Sequence, residues 1–419
     1  MRPILIVLAC ILTATFFLEV GSSLLGVLQP IRGLLEGFHG YSIGSLGSAY
    51  YLGFILGCFL IPRLVKRFGH IRAFTAFAAI TGSAALINAF VINEVAWILL
   101  RIVFGFCMSG LYTIIESWLN ELATQKTRGQ ILAGYMVTVW FAVLSGKLLF
   151  TILDPTTILP FAIVSIVITL SLVPVALTTG IEPEHRDAVQ FRPRDIYEAA
   201  PVGFVACFLV GMTNGALWGL APVYAQTLTQ STSATGFFMA AIVFGGALAQ
   251  WPIGKLSDNI DRRRIILANS LVATVFGFGL SVIDQADGMT LYLLAFGYGA
   301  AALPLYSLCI AHVNDKMSAD VFVEVSGQLL LITGLGAIIG PLLASVFIDI
   351  AGQHTLFAYT ASAYSVIAVY VVWHASQAEP IPKEERVPYS AVPDTTPLVF
   401  EMQPTSPSEN KPQETSNNQ

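Results

Sequence analysis

The stretch IGKLSDNIDRRR, Ile253–Arg264, carries six formal charges in twelve residues, although only 11% of the whole chain is charged. An earlier stretch, IPRLVKRFGHIR, Ile61–Arg72, lies 192 positions before it and repeats its basic, apolar pattern. The same shift of 192 places Pro30 on Pro222, Gly44 on Gly236 and Gly53 on Gly245. Because one constant shift aligns an ordered series of residues, the two stretches indicate an internal duplication of the chain.

The rest of the chain is apolar in long runs, with 55% hydrophobic residues and a mean hydropathy of +0.72. Soluble domains carry about 25% charged residues, and runs of about 18 or more apolar residues are typical of transmembrane helices. The sequence therefore predicts an all-α polytopic membrane protein with twelve transmembrane helices in two parallel six-helix repeats. The spans are predicted near 4–30, 43–62, 73–92, 95–118, 130–150, 157–178, 200–226, 232–254, 265–284, 289–313, 325–349 and 354–374.

Four regions follow from these spans. Residues 1–178 form the first six-helix half, 179–199 a cytoplasmic linker, and 200–374 the second half. The remainder, 375–419, is rich in Pro, Ser, Thr, Glu and Asn, a composition typical of disorder. We therefore expect a disordered cytoplasmic tail.

The basic residues predict the orientation. Of the 21 Lys and Arg residues, 18 lie at the termini or in loops on the side of the N terminus, Arg32 lies on the other side, and two lie within spans. Since basic loops stay in the cytoplasm, both termini are predicted to be cytoplasmic in a bacterial inner membrane.

Ile253–Arg264 resembles the signature loop of the major facilitator superfamily, a Gly-x-Leu-x-Asp-Arg-x-Gly-Arg-Arg pattern between spans 2 and 3 that is often echoed between spans 8 and 9. The matching residues are Gly254, Leu256, Asp258, Arg262 and Arg263, whereas Asn259 and Asp261 depart from the pattern. The earlier copy keeps Leu64, Arg67, Gly69 and Arg72 but has Pro62 and Lys66 at the usual Gly and Asp positions. Arg101 followed by Gly105 resembles a second motif of this superfamily.

Two further stretches, ESWLNELATQKTRGQILAGYM (116–136) and AQWPIGKLSD (249–258), resemble the YcaD-like bacterial branch of the superfamily. The resemblance implies a transporter fold with its substrate site near the midplane, between the two halves.

Two interpretations fit the charged loops. In the first, the basic residues only keep these loops in the cytoplasm. In the second, the charged residues form a latch that locks the halves together on the cytoplasmic side and opens during alternating access. In the latch, Asp258 pairs with Arg262 or its neighbours, and Glu116 is predicted to pair with Arg63 or Arg67. The candidate latch residues are Arg63, Arg67, Gly69, Glu116, Gly254, Asp258 and Arg262.

Glu19, Arg101 and Lys147 lie inside predicted spans, where an ionisable residue costs about 2.5–3.5 kcal/mol at a helix centre. Helix rise places Glu19 roughly 8 Å and Arg101 roughly 9 Å from the outer boundary, so these opposite charges can meet. They form either a static ion pair or a site where Glu19 takes up a proton and Arg101 tunes the pKa of Glu19 or binds an anionic substrate group. Lys147 either joins this site or snorkels to the outer surface.

Polar and aromatic side chains at plausible cavity positions suit a flat, partly polar organic solute, although each could instead serve packing. They are Tyr50, Tyr51, Trp140, Asn214, Trp218, Tyr306 and Gln328.

The chain lacks Walker, HExxH and GxSxG motifs and any metal-spaced His/Cys set, so neither an enzyme nor a cofactor or metal site is expected.

The predicted function is secondary, proton-coupled uptake of a vitamin-like or aromatic compound, with a riboflavin-like compound as the narrowest choice. Proton-driven efflux of amphipathic compounds is the alternative, although Gly146 is followed by Lys147 and not by the Pro typical of many drug antiporters. A non-transporting membrane sensor or assembly protein is the second alternative. The expected partners are a small solute, protons and lipid, without nucleic acid, and the protein is expected to be a monomer.

Overall fold

The computed structural model describes residues 2–177, 193–283, 288–317, 321–375, 382, 386–393 and 395–402. The first seven helices are α1 Arg2–Leu35, α2 Gly40–Phe68, α3 His70–Phe90, α4 Glu94–Leu122, α5 Arg128–Phe150, α6 Leu159–Leu170 and α7 Leu172–Ala176. The short α8, Pro193–Ala199, comes next. The others are α9 Pro201–Thr229, α10 Thr232–Asn259, α11 Arg262–Ser281, α12 Gly288–Ala302, α13 Leu305–Asn314, α14 Phe322–Ala351 and α15 Thr355–Ala375.

Within the described residues, twelve helical segments are long and apolar enough to cross a membrane, as the sequence predicts. Two of them are interrupted helices. The pair α6 and α7 makes one crossing, and α12 and α13 make another. The second interruption falls at Leu303–Pro304, where proline lacks the N–H that would continue the helical hydrogen bonds.

The duplication is visible in matched glycine contacts between the second and fourth crossings of each half. A β-carbon placed on any of four glycines would lie 2.0–2.2 Å from a backbone oxygen of the facing helix, so only glycine fits. The pairs are Gly53 with Ile102, Gly105 with Tyr50, Gly245 with Phe296 and Gly299 with Ile242. Gly245 and Ile242 lie 192 positions after Gly53 and Tyr50, which is the shift found in the sequence. Phe296 and Gly299 lie 194 positions after Ile102 and Gly105, a shift two residues longer. The predicted pair of six-helix repeats is therefore confirmed.

The halves pack directly against each other at one end of the bundle, where α2 begins and α14 ends. We call it the distal end. There the Ser48 hydroxyl donates to the Ile338 carbonyl at 2.6 Å, and the Ser233 hydroxyl donates to the Thr151 carbonyl at 2.9 Å. A β-carbon on Gly44 would lie 2.9 Å from the carbonyl oxygen of Pro341. The distal end is therefore closed by close helix packing.

The opposite end, which we call the charged-loop end, contains the loops at Gly69 and at Ile260–Asp261. The tail of the chain returns to this end. Residues 386–393 and 395–402 pack there and finish in a 3₁₀ turn, Pro397–Met402. Val392, Val399 and Met402 are all at most 3% exposed.

The prediction of a disordered tail is thus wrong for residues 386–393 and 395–402. Composition indicates whether a segment can form a hydrophobic core by itself. Residues 386–393 and 395–402 instead pack against the core that the helices supply. Of the predicted linker, residues 179–192 lie outside the described part, and Pro193–Ala199 forms α8. The boundaries of the two halves remain a prediction.

Candidate functional site

A cavity of about 240 Å³ lies between the two halves. Helices α1, α2, α4 and α5 contribute one wall, and α9, α10, α13 and α14 contribute the facing wall. Packing at the distal end closes it on that side. On the other side Val392, Pro393 and Thr395 of the tail line it. The cavity is therefore bounded by helices towards the distal end and by the C-terminal segment of the chain towards the charged-loop end.

Most of the predicted pathway residues line this cavity. They are Glu19, Arg101, Lys147, Tyr50, Tyr51, Trp140, Asn214, Trp218 and Tyr306. Gln328 is different, because it is 3% exposed and buried in α14 outside the lining residues. Ser22, Gln29 and Thr333 also line the cavity, and the sequence analysis missed them because uncharged polar residues are common in membrane helices.

Arg101 lies against aromatic rings. Its guanidinium carbon lies 5.0 Å from the ring centre of Tyr50 and 5.3 Å from that of Phe104, both within cation–π range. Its Nε and Nη1 atoms are buried and make no hydrogen bond to any described residue. A buried cation with unfilled donors is costly, and an anionic group in the cavity would fill them.

Lys147 does not snorkel to the surface. Only 4% exposed, it donates from Nζ to the Ser23 carbonyl at 3.1 Å and lies 5.4 Å from the Trp218 ring centre. The snorkelling alternative is therefore wrong. Helix rise gives a residue's height along the bundle, but not the side of the helix to which its side chain points.

Glu19 lines the same cavity as Arg101, in agreement with the depth comparison, and is 5% exposed. The Tyr112 hydroxyl lies within hydrogen-bonding reach of Glu19, and Lys147 lies within electrostatic range of it. The site thus combines one carboxylate and two cations inside an aromatic enclosure.

Arg262 is the centre of the charged loop between α10 and α11 and is 1% exposed. It donates to the Asp315 carboxylate at 2.7 Å, to the Ala311 carbonyl at 2.6 Å and to the Asp258 carboxylate at 3.2 Å. These helix partners all belong to the second half. The cluster therefore holds α10, α11 and α13 together and does not join the two halves directly.

Asp315 follows α13 and is the buried partner in this cluster. Burial raises the pKa of Asp315 to about 6, although attraction to Arg262 and the N–H of Val387 act in the opposite direction. Asp315 is not among the residues predicted from the sequence. A signal existed, because LYTIIESWLNE (111–121) resembles LYSLCIAHVND (305–315), and this alignment places Glu121 on Asp315 at a shift of 194.

The predicted pairing of Glu116 with Arg63 or Arg67 is wrong. Glu116 is fully buried and accepts hydrogen bonds from the Tyr135 hydroxyl at 3.1 Å and from the hydroxyls of Thr395 and Thr396. Arg63 donates instead to the Phe59 carbonyl, and Arg67 lies over the Phe68 ring. Glu116 has the predicted height but points into the bundle.

Gly69 has a backbone reason for its place in the motif. Its φ of 81° lies in the region that favours glycine, and the residue joins α2 to α3. Gly254 has a packing reason, because a β-carbon there would lie 2.2 Å from the ring of Tyr389 in the tail.

Two six-helix halves around a central cavity are also what comparison with known proteins indicates. The sequence model of the Major Facilitator Superfamily matches residues 11–322 and, in a second placement, residues 203–400. The chain belongs to the Major Facilitator Superfamily.

Bacterial relatives within this superfamily cover most of the chain. An uncharacterized MFS-type transporter of Enterobacter sp. (strain 638) is 28% identical over 365 residues, 86% of this chain and 93% of the relative. The MFS-type transporter YcaD of Escherichia fergusonii is 27% identical over 363 residues, with the same coverage. The resemblance to the YcaD-like branch is thereby confirmed.

A solved structure shows the same fold. The nucleoside transporter NupG superposes with a TM-score of 0.74, at 13% identity, over 89% of this chain and 99% of that one. The chain is thus a multi-pass membrane transporter of this superfamily, and its central cavity occupies the position that the resemblance implies for the substrate.

Proposed function

We propose that this transporter moves a small aromatic organic anion across the membrane by coupling it to protons, in the uptake direction. The observation that carries the proposal is Arg101, a buried guanidinium with two unfilled donor atoms in an aromatic-lined cavity. A carboxylate or a similar anionic group is the ligand that satisfies such a guanidinium best.

The charge balance of the cavity supports an anion. Among its described lining residues, Arg101 and Lys147 are cationic and Glu19 is the single carboxylate. With Glu19 ionised the site has a formal charge of +1, and with Glu19 protonated it has a formal charge of +2. Protonation of Glu19 therefore strengthens attraction for an anionic solute, which is the coupling that a proton symporter requires.

The walls support a flat ring system. Tyr50, Tyr51, Trp140, Trp218 and Tyr306 surround the cavity, and aromatic faces favour stacking on planar solutes. A vitamin-like compound with an acidic group fits this description. The riboflavin-like compound predicted from the sequence has no acidic group that is ionised near neutral pH, so it falls outside the anionic class proposed here.

The orientation proposed for this cycle has the charged-loop end in the cytoplasm. This placement follows from the 18 of 21 basic residues on that side and the positive-inside rule. Both termini are then cytoplasmic, and the distal end faces outward in the bacterial inner membrane.

Arg101 substitutions test the proposal in proteoliposomes, with a panel of radiolabelled aromatic acids and matched neutral analogues. Arg101→Lys keeps the charge but loses the planar donor fork, so we expect a rise in KM for the acids of about tenfold or more with little change for neutral analogues. Arg101→Gln should abolish the preference for acids. Accumulation of neutral analogues in preference to acids by the unmodified protein would contradict the proposal.

Glu19→Gln tests the coupling. We expect acid-driven accumulation to disappear while exchange of solute across the membrane continues, since exchange needs no net proton movement. Full pH-dependent accumulation by Glu19→Gln would exclude Glu19 as the coupling residue. Proton-driven export of the same solutes from loaded vesicles, without accumulation, would favour the efflux alternative.

A further inference from the structure

Residues 386–393 and 395–402, which we call the tail plug, lie between the halves at the charged-loop end. Its members Val392, Pro393 and Thr395 line the central cavity. Its contacts reach both halves through hydrogen bonds and through the buried apolar side chains of Val392, Val399 and Met402.

On the second half, the tail plug binds to the signature loop. The Val387 N–H donates to Asp315 at 2.9 Å, and the Tyr389 N–H donates to Asp258 at 2.8 Å. Arg262 donates to the Val387 carbonyl. The residues that match the superfamily's signature thus hold the chain's own backbone.

Tyr389 anchors this contact further. Its hydroxyl donates to the Gln250 side-chain oxygen, and its ring fills the space left by the missing side chain of Gly254. The Ser307 hydroxyl and the Val392 N–H lie 3.3 Å apart, next to the cavity.

On the first half, the tail plug binds to α4. The hydroxyls of Thr395 and Thr396 donate to the two carboxylate oxygens of Glu116, and the Asn120 amide donates to the Leu398 carbonyl at 2.7 Å. Glu116 is fully buried beneath this contact. One segment therefore contacts both halves at the charged-loop end.

We propose that the tail plug is an autoinhibitory element, which seals the charged-loop end of the cavity and must leave before a solute can pass there. It uses side chains of both halves, so it also holds them at the spacing of the present conformation. The inhibited activity rests on the proposed transport function, but the sealing itself does not. Any factor that withdraws the segment would then activate the transporter.

The hydrogen bonds of the contact favour its reversibility. Each one replaces a hydrogen bond to water, so the net gain per bond is small and the segment can be released without unfolding the helices. The buried side chains of Val392, Val399 and Met402 oppose release, because their apolar surface then becomes exposed to water.

A disulfide tests the position of the plug. Ser307→Cys and Val392→Cys are introduced together into a chain whose native cysteines are replaced, with a protease site inserted between residues 376 and 385. After oxidation and cleavage, we expect the C-terminal fragment to stay attached on a non-reducing gel and to separate after reduction. Either cysteine alone is the control. Release of the fragment from the double variant without reduction would overturn the proposal.

Reagent access tests the seal. Ser22→Cys places a thiol in the cavity with minimal change in size, and its labelling by a water-soluble maleimide is measured in purified protein. We expect deletion of residues 386–419 to raise the labelling rate at least about tenfold, as the accessible state becomes dominant. Gln125→Cys, an exposed loop position, should label equally with and without the deletion.

A milder variant covers the case in which the deletion impairs folding. Thr395→Val with Thr396→Val removes both hydroxyls from Glu116 and should raise labelling of Ser22→Cys severalfold. Thr75→Val, which removes a hydroxyl bonded only within its own exposed helix surface, is the matched control. Unchanged labelling in both the deletion and the double valine variant would refute the seal. None of these measurements needs a substrate, so their failure would leave the transport proposal standing, and failure of the transport assays would leave the seal standing.

Discussion

The two ends of the bundle are closed in different ways. At the distal end, glycines and serines of α2 lie directly against α14, and a β-carbon on Gly44 would lie under 3 Å from Pro341 and Ser345. At the charged-loop end, the halves are joined through the tail plug, which is held by Asp258, Asp315 and Glu116. One closure is made by the helices themselves, and the other by a separate segment.

This difference indicates how each end opens. Direct packing depends on shape, so the distal end opens only when whole helices move apart. The polar contacts of the charged-loop end can be exchanged for water one by one. A change of side-chain volume should therefore act on the distal end, whereas a change of hydrogen bonding or charge should act on the other.

The largest effect is expected from Gly44→Ala. The added methyl would overlap a backbone oxygen, and overpacking costs about 1–3 kcal/mol, which corresponds to roughly 5- to 150-fold in an equilibrium between closed and open distal ends. Labelling of Ser22→Cys by an impermeant maleimide added at the distal side of oriented proteoliposomes should rise accordingly. Gly134→Ala, at a helix position with open space around it, should leave the labelling unchanged. Equal effects of the two substitutions would mean that distal packing does not control access.

An intermediate effect is expected from Asp315→Asn on the pH dependence of stability. Burial raises the pKa of Asp315 from 3.8 to about 6, so the native state binds the proton more tightly than the unfolded chain. Asp315 therefore makes the free energy of unfolding fall as pH rises from about 4 to about 6, and contributes no further change above that range. Asp315→Asn should flatten this part of the profile, by a few degrees in Tm.

Thermal unfolding in detergent between pH 4 and pH 8 measures that profile. Arg262, Arg386 and Asp258 are the charged neighbours of Asp315, and all of them are retained in the variant. Asp195→Asn, at an exposed position of α8, is the control and should behave as the unmodified protein. A slope that persists in Asp315→Asn would assign the pH dependence to another group.

The smallest effect is expected from Tyr389→Phe. It removes only the hydrogen bond to Gln250 and keeps the ring against Gly254, so the tail plug should weaken by about 1 kcal/mol, or about fivefold in occupancy of the released state. Labelling of Ser22→Cys from the charged-loop side measures it. Tyr41→Phe, on an exposed tyrosine near the distal end, is the control. A Tyr389→Phe effect as large as that of the whole deletion would show that a single contact carries the seal.

Much of the site was predictable, because burying a charge in a membrane has few explanations. Glu19, Arg101 and Lys147 stand out in apolar spans and all line the cavity. Gln328 was also predicted to line the cavity but is buried outside it. Glu116 pairs with the tail rather than with Arg63 or Arg67. Spacing gives height along a helix, whereas facing direction depends on how helices pack, and that packing is not encoded locally.

The sequence by itself determined the number of crossings, the duplication and the family. Hydrophobic run length, the repeat between the halves and the charged signature can all be read from the order of residues, without knowing how the helices pack. Only the tertiary structure decided what the signature residues bind and where residues 386–393 and 395–402 lie. Some of those contacts join positions more than a hundred residues apart, such as Tyr389 with Asp258 and Thr395 with Glu116. A segment too polar to form a core alone becomes ordered when the surrounding helices supply its partners.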